Sequence, residues 1–312
     1  MNTCLMLASA RGHLAVVNTL LEYAQAAGAL RDLLMQGDNV FYTAPKRNTC
    51  LSLASRNGHL SVVRALLEAA SRPAAQHALP ELLLSANGTG ANCLLYAAHQ
   101  GHLQVVNMLL EAARAAGVLP SLLCREVDNN NPDDHDPNYH LPCGENCLSA
   151  SVRQEHPEVT KVLLNAAREG GAKHTLLDLL FSGTWNEEYD VDNCTSLWMA
   201  AKKGDLEVVN ALIQAAKAAA SQIYEMRCGQ NKLLGELLMY EKTCSCLWVS
   251  VKLGHLDVVK ALLEAARNAD VLSELLALRG HGRISCLTMA EKIGRDDIVQ
   301  TLEAAGAKHK RP

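Results

Sequence analysis

One phrase is written seven times along this chain, and that repetition limits the possible folds more than any other feature. The copy at residues 48–70 reads NTCLSLASRNGHLSVVRALLEAA. Repeats start near 3, 49, 92, 146, 195, 245 and 285; aligned on the second residue of the opening pair, the starts are Cys4, Cys50, Cys93, Cys147, Ser196, Cys246 and Cys286. Successive spacings are 46, 43, 54, 49, 50 and 40 residues. A Leu follows each start, and a small residue comes four positions on: Ala8, Ala54, Ala97, Ser151, Ala200, Ser250 and Ala290. At eight stands a Gly (Gly12, Gly58, Gly101, Gly204, Gly254, Gly294), with Glu155 the exception. Next comes an apolar stripe, as in Val62, Val63, Leu66 and Leu67, spaced for one face of a helix. Small residues let two helices approach closely, and Gly ends the first by turning left-handed. Each copy is therefore expected to be a helix–turn–helix unit, stable only when stacked on its neighbours.

The phrase resembles the ankyrin repeat, whose T-P-L-H-x-A-A-x-x-G-H-x-x-V-V-x-x-L-L pattern runs in register with TCLSLASRNGHLSVVRALL at 49–67. The resemblance implies an all-α solenoid of about seven ankyrin-like repeats, read here as a single domain over 1–312. It also implies a non-enzymatic role as scaffold, adaptor, inhibitor or targeting segment, including that of effectors which intracellular microbes deliver into host cells. Two departures matter. The family's Pro is Cys or Ser here, and its His two positions later is Met6, Ser52, Leu95, Ser149, Trp198, Trp248 or Thr288. In the family that His braces the turn between neighbouring repeats, so standard β-hairpin fingers are not expected. The period also exceeds the family's ~33 residues. The surplus carries L-x-x-L-L: Leu30/Leu33/Leu34, Leu79/Leu82/Leu83, Leu119/Leu122/Leu123, Leu176/Leu179/Leu180, Leu234/Leu237/Leu238 and Leu272/Leu275/Leu276. Pro80 and Pro120 share a slot where a missing N–H is harmless, the first turn of a helix. The first six units are thus expected to carry a short third helix, or a longer second one. An armadillo- or HEAT-like three-helix array has a similar period and is the alternative, with the Gly-His turn against it. Glu303 replaces the second Leu of the last stripe, which reads as a polar cap. The first repeat has no such cap, so either a further domain lies N-terminal to Met1 or a partner covers that face.

Apolar residues make up 49% of the chain and aromatics only 4%, which suits closely stacked helices better than sheets. A net charge of −4 advertises neither nucleic acid nor an anionic membrane, and no apolar run approaches the roughly 20 residues needed to span a bilayer. Eleven cysteines, six of them at one repeat position about a repeat apart and so beyond the ~7 Å Cα limit for bridging, favour reduced thiols and a cytoplasmic location. No P-loop, dinucleotide fingerprint, nucleophile elbow or metalloprotease motif occurs, and SANGTGAN at 85–92 reads as a loop, so neither an enzyme nor a cofactor is expected. The long inter-repeat loop 125–146 holds the one metal candidate. His135, His140, Cys143 and Cys147 form a tetrahedral zinc-type set, though their spacing is loose and Cys147 already serves as a repeat start. His13, His59, His102, His156 and His255 recur at one turn, which argues for a structural role there rather than a unique active site.

The candidate partner-binding surface lies six and seven residues past each start, at the exposed ends of the first helices, which by the resemblance belong to the concave face. The pairs are Ala10-Arg11, Arg56-Asn57, His99-Gln100, Arg153-Gln154, Lys202-Lys203, Lys252-Leu253 and Lys292-Ile293. Cations there also favour the helix C-terminus, by about 0.3–1 kcal/mol each. The functional expectation is a protein partner presenting an acidic or phosphorylated segment, which Arg56 and Arg153 can hold in bidentate fashion. Trp198 and Trp248, together with Phe41, Tyr42, Tyr139, Trp185 and Tyr189 in the loops, are the expected aromatic anchors, with packing between repeats the other reading of the two tryptophans.

Overall fold

The computed structural model describes residues 3–37, 48–127, 141–169, 174–186, 191–223, 227–240 and 244–308. They fall in two compact units, Met1–Gly170 and Gly171–Pro312. The first unit holds α1 (Cys4–Ala10), α2 (Leu14–Ala26) and α3 (Leu30–Met35) of repeat one; α4 (Cys50–Arg56), α5 (Leu60–Ala70) and α6 (Ala78–Leu84) of repeat two; α7 (Cys93–His99), α8 (Leu103–Ala115) and α9 (Leu119–Leu123) of repeat three; and α10 (Cys147–Arg153) and α11 (Pro157–Glu169) of repeat four. The second holds α12 (Thr175–Phe181), the antiparallel strands β1 (Gly183–Asn186) and β2 (Val191–Thr195), α13 (Ser196–Lys203), α14 (Leu206–Ile223), α15 (Arg227–Leu238), α16 (Cys246–Lys252), α17 (Leu256–Asn268), α18 (Leu272–Ala277), α19 (Cys286–Lys292) and α20 (Asp296–Ala304).

The first residue of each repeat explains where the helices begin. Thr3, Thr49, Asn92, Asn146, Thr195, Ser245 and Ser285 are the N-caps of the first helices, each side-chain oxygen accepting the amide three residues on at 2.8–3.3 Å. Such a cap stabilises its helix by about 1 kcal/mol. The cysteine that follows takes the place of the family's Pro and does something Pro cannot. The thiols of Cys50, Cys93, Cys147 and Cys246 donate to Leu34, Leu83, Leu123 and Leu238 carbonyls at 3.5–3.8 Å. Each thereby bonds a carbonyl in the last turn of α3, α6, α9 or α15, where helix geometry provides no intrahelical partner. Burial pushes Cys50, Cys93, Cys147 and Cys286 up to about 12, so they stay protonated and poor as nucleophiles.

Within each unit the first helices stack on one another (α1, α4, α7, α10; α13, α16, α19), and the second helices form a parallel layer (α2, α5, α8, α11; α14, α17, α20). The expected third element is a separate helix in each of the first six repeats. It lies on the second-helix layer and reaches forward: α3 packs on α5, α6 on α8, α9 on α11, α12 on α14 and α15 on α17. The paired leucines of L-x-x-L-L are what it buries, as with Leu30, Leu34, Leu82, Leu83, Leu122 and Leu123.

The expectation that hairpin fingers would be missing is corrected. β1 and β2 pair Gly183 with Thr195, and single antiparallel bridges join Gly37 to Thr49, Ala86 to Asn92 and Arg279 to Ser285, so four connections close on the N-cap residue of the next repeat. Tryptophan performs the brace in the second unit. Trp198 Nε1 donates to Cys244 O at 2.6 Å and Trp248 Nε1 to Ile284 O at 3.1 Å, each reaching the backbone two residues before the next first helix. SANGTGAN is a loop, organised by the Asn87 carbonyl, which accepts from Thr89 N, Thr89 Oγ1 and Ala91 N at 2.8–3.1 Å.

The two ends of the array differ. Val16 is 49% exposed, whereas its counterparts Val62, Val105, Val159, Val208, Val258 and Ile298 are at most 2% exposed; Leu7 and Tyr23 are exposed beside it. Glu303, in the last repeat, is exposed where Leu67, Leu110, Leu164 and Leu263 are buried.

Candidate functional site

The row six positions past each start is held from behind by a ladder of histidines. His59 Nε2 donates to Ala10 O, His102 to Arg56 O, His156 to His99 O and His255 to Lys202 O, all at 3.0–3.2 Å. Each rung pins the C-terminal carbonyl of one first helix to the turn of the next repeat. The ring needs room, and Gly provides it. A Cβ on Gly12, Gly58, Gly101 or Gly204 would lie 2.5–2.7 Å from the ring of the following repeat's His. These glycines also have φ between +72° and +75°, the left-handed region in which a side chain is strained. In the last repeat Arg295 stands in for His and donates to Gly254 O at 2.6 Å. The two breaks in the pattern match. Repeat five has Asp205 in the His position, where it caps its own helix through Val208 N at 3.0 Å, and the preceding repeat has Glu155 in the Gly position, at φ +61°.

On this frame the predicted cations divide into distinct environments. Arg56 lies over the Tyr96 ring (5.7 Å), Lys202 over Trp198 (5.8 Å) and Lys252 over Trp248 (5.6 Å). Each such contact is worth about 0.5–1 kcal/mol at an exposed site and restrains a long side chain. Arg11, Lys203 and Lys292 are exposed. Arg153 pairs at 2.6 Å with Glu145, a carboxylate with no solvent exposure. Burial raises the Glu145 carboxyl to about 7 against the pull of Arg153, and burial lowers Arg153 in turn. Arg153 is therefore first the counterion of a buried acid, and its availability to a partner is corrected accordingly. His99 bonds Gln154 Nε2 at 3.1 Å; burial, then Arg153, His156 and Arg56, lower it to about 4, so it is neutral near pH 7.

The tryptophans are corrected as exposed anchors. Trp198 is 0% and Trp248 2% exposed, because the second position of a first helix points into the repeat interface. They act from beneath, under Lys202 and Lys252. Phe41, Tyr42, Tyr139 and Tyr189 lie outside the described residues, and Trp185 is described only as a backbone position in β1. Of the zinc set, His135 and His140 also lie outside them; Cys143 is exposed, while Cys147 is buried with its thiol bonded to Leu123 O. Among the described residues no cluster of three metal-ligating side chains occurs, and no helix is long and apolar enough to cross a membrane. Sequence reasoning missed Glu145 and Tyr96. Glu145 has no local signal, whereas Tyr96 sits at the third position, one turn before His99.

A family model of three ankyrin repeats matches residues 23–118 and 165–274, and a single-repeat model matches 1–40. The chain belongs to the ankyrin repeat family. Among solved structures, the ankyrin repeat domain of Bcl-3, a unique member of the IkappaB protein family, aligns with a TM-score of 0.55 and 18% identity over 97% of this chain and 98% of that one. The human ASB11 ankyrin repeat domain aligns at 0.51 with 17% identity over the full length of both. These likenesses are of fold, and the armadillo- or HEAT-like alternative is set aside. Comparison with curated proteins returns no match. Ankyrin repeats are in general protein–protein interaction modules.

Proposed function

We propose that this ankyrin protein is a non-enzymatic binding scaffold whose first-helix ends take an acidic or phosphorylated segment of a partner protein. The observation that carries the reading is the sixth-position row of Arg56, Lys202, Lys252 and Lys292, with the Arg56 and Lys202 carbonyls held by rungs of the histidine ladder. A surface ordered on folding loses little further entropy on binding, which favours affinity from few contacts. Rings beneath Arg56, Lys202 and Lys252 keep those cations raised and directed.

Charge reversal at Arg56, Lys203 and Lys292 tests the reading. Arg153 is left unchanged, because its removal would strand Glu145 as a buried unpaired charge, typically a loss of about 3–5 kcal/mol. The triple variant is expected to keep its helical circular dichroism and to lose partners captured by the wild-type protein; the same partners retained at wild-type affinity would refute it.

A further inference from the structure

The position one beyond the cation row, seven past each start, is exposed in all seven repeats: Arg11, Asn57, Gln100, Gln154, Lys203, Leu253 and Ile293. Folding makes no demand for an apolar side chain there, and the first five repeats carry polar ones. Leu253 is 41% and Ile293 37% exposed, on adjacent repeats whose first helices α16 and α19 pack side by side. Both are helix C-cap residues, a backbone role that Asn57 and Gln100 fill equally well. Two aliphatic side chains thus remain partly exposed on neighbouring helices, at a position that the other five repeats fill with polar residues. The sixth and seventh positions of these two repeats and the one before also carry Lys202, Lys203, Lys252 and Lys292, against the single acid Glu291 in the fifth to seventh positions.

We propose that Leu253 and Ile293 form a two-point apolar foothold for an acidic partner segment that carries two aliphatic or aromatic residues three apart. The spacing follows from geometry. Neighbouring helices lie about 8–10 Å apart. A polyproline-II segment rises about 3.1 Å per residue with three residues per turn, so residues three apart share a face about 9 Å apart. β-Strand residues three apart face opposite ways, and those two apart span only about 7 Å. The residues between the anchors then carry the acids that meet the lysines. This inference rests on the basic-row reading and adds to it the apolar half of the recognition.

Four synthetic twelve-residue peptides test it by calorimetric titration against the whole chain. One is acidic with two leucines three apart, one has the same composition with the leucines adjacent, one has alanines for the leucines, and one has lysines for the acids. The first is expected to bind at least tenfold more tightly than the other three. Leu253→Asn with Ile293→Gln, side chains that sister repeats already use there, should leave helicity unchanged and remove that advantage. If the alanine peptide binds as well as the first, or the double variant binds the first unchanged, the foothold is refuted while the charge reading survives. If binding of the first peptide is unaffected by Lys203→Glu with Lys292→Glu, the charge reading fails and this inference falls with it. No binding by any of the four overturns the proposal.

Discussion

Replacing Gly101 by Ala separates the two demands that the histidine ladder makes on glycine. The first is conformational: at φ +72° an L-residue costs roughly 1–2 kcal/mol. The second is spatial. The new Cβ would lie 2.5 Å from Nδ1 and Cε1 of His156, so the ring must leave, breaking its bond to His99 O at 3.2 Å, worth about 0.5–1.5 kcal/mol. Gly101→Ala is therefore expected to cost about 1.5–3.5 kcal/mol. Gly117, at φ +70° with open space for 4 Å around the point where a Cβ would stand, supplies the control, and Gly117→Ala should cost the conformational part alone. Once His156→Ala has emptied the space, Gly101→Ala should fall to the Gly117 value, a coupling of about 0.5–1.5 kcal/mol in the double-mutant cycle. Repeat arrays need not unfold in one step, so urea titration by circular dichroism is best joined to hydrogen exchange at the 101–103 turn. Equal losses at Gly101 and Gly117, with an additive cycle, would show that the ring seat contributes nothing. Glu155→Gly, where no ring is to be housed, should stabilise by about 1 kcal/mol.

Trp248→Phe should keep most of the packing but lose the Nε1 bond to Ile284 O, lowering stability by about 0.5–1.5 kcal/mol and speeding amide exchange around residues 284–286; unchanged exchange there would count against the brace. Two buried groups give pH dependences of opposite sign. Glu145, raised from 4.5 to about 7, contributes stability that is fully present below about pH 4.5 and lost as pH rises through 7, so Glu145→Gln should flatten the decline in melting temperature toward alkaline pH. His99, lowered from 6.5 to about 4, contributes stability present above pH 6.5 and lost as pH falls through 4, so His99→Gln should flatten the acid limb.

Most of the scaffold was legible because it is written in local periods: the Gly at the turn, the Val-Val-x-x-Leu-Leu stripe and L-x-x-L-L each report a helix a few residues long. What sequence reading missed lies between residues one repeat apart. Trp198 and Trp248 look like free aromatics until the partner carbonyls, 46 and 36 positions on, are placed beside them. The pairing of Gly with the next repeat's His was visible in principle, since Glu155 and Asp205 break both halves of one rung together, but it has meaning only once the rings are seen against the glycines. Within the candidate site, the ion pair of Arg153 was invisible in the sequence because Glu145 lies eight residues upstream in a connection with no helical period to reveal its direction.

The forward reach of the third helices has a practical meaning for anyone shortening, shuffling or grafting this array. A block cut at the repeat starts would part α3, α6 or α9 from α5, α8 or α11, whereas one cut just before a third helix would part it from α2, α5 or α8, on which it also packs. Any excised stretch therefore needs a substitute neighbour for a leucine-bearing face wherever the cut falls.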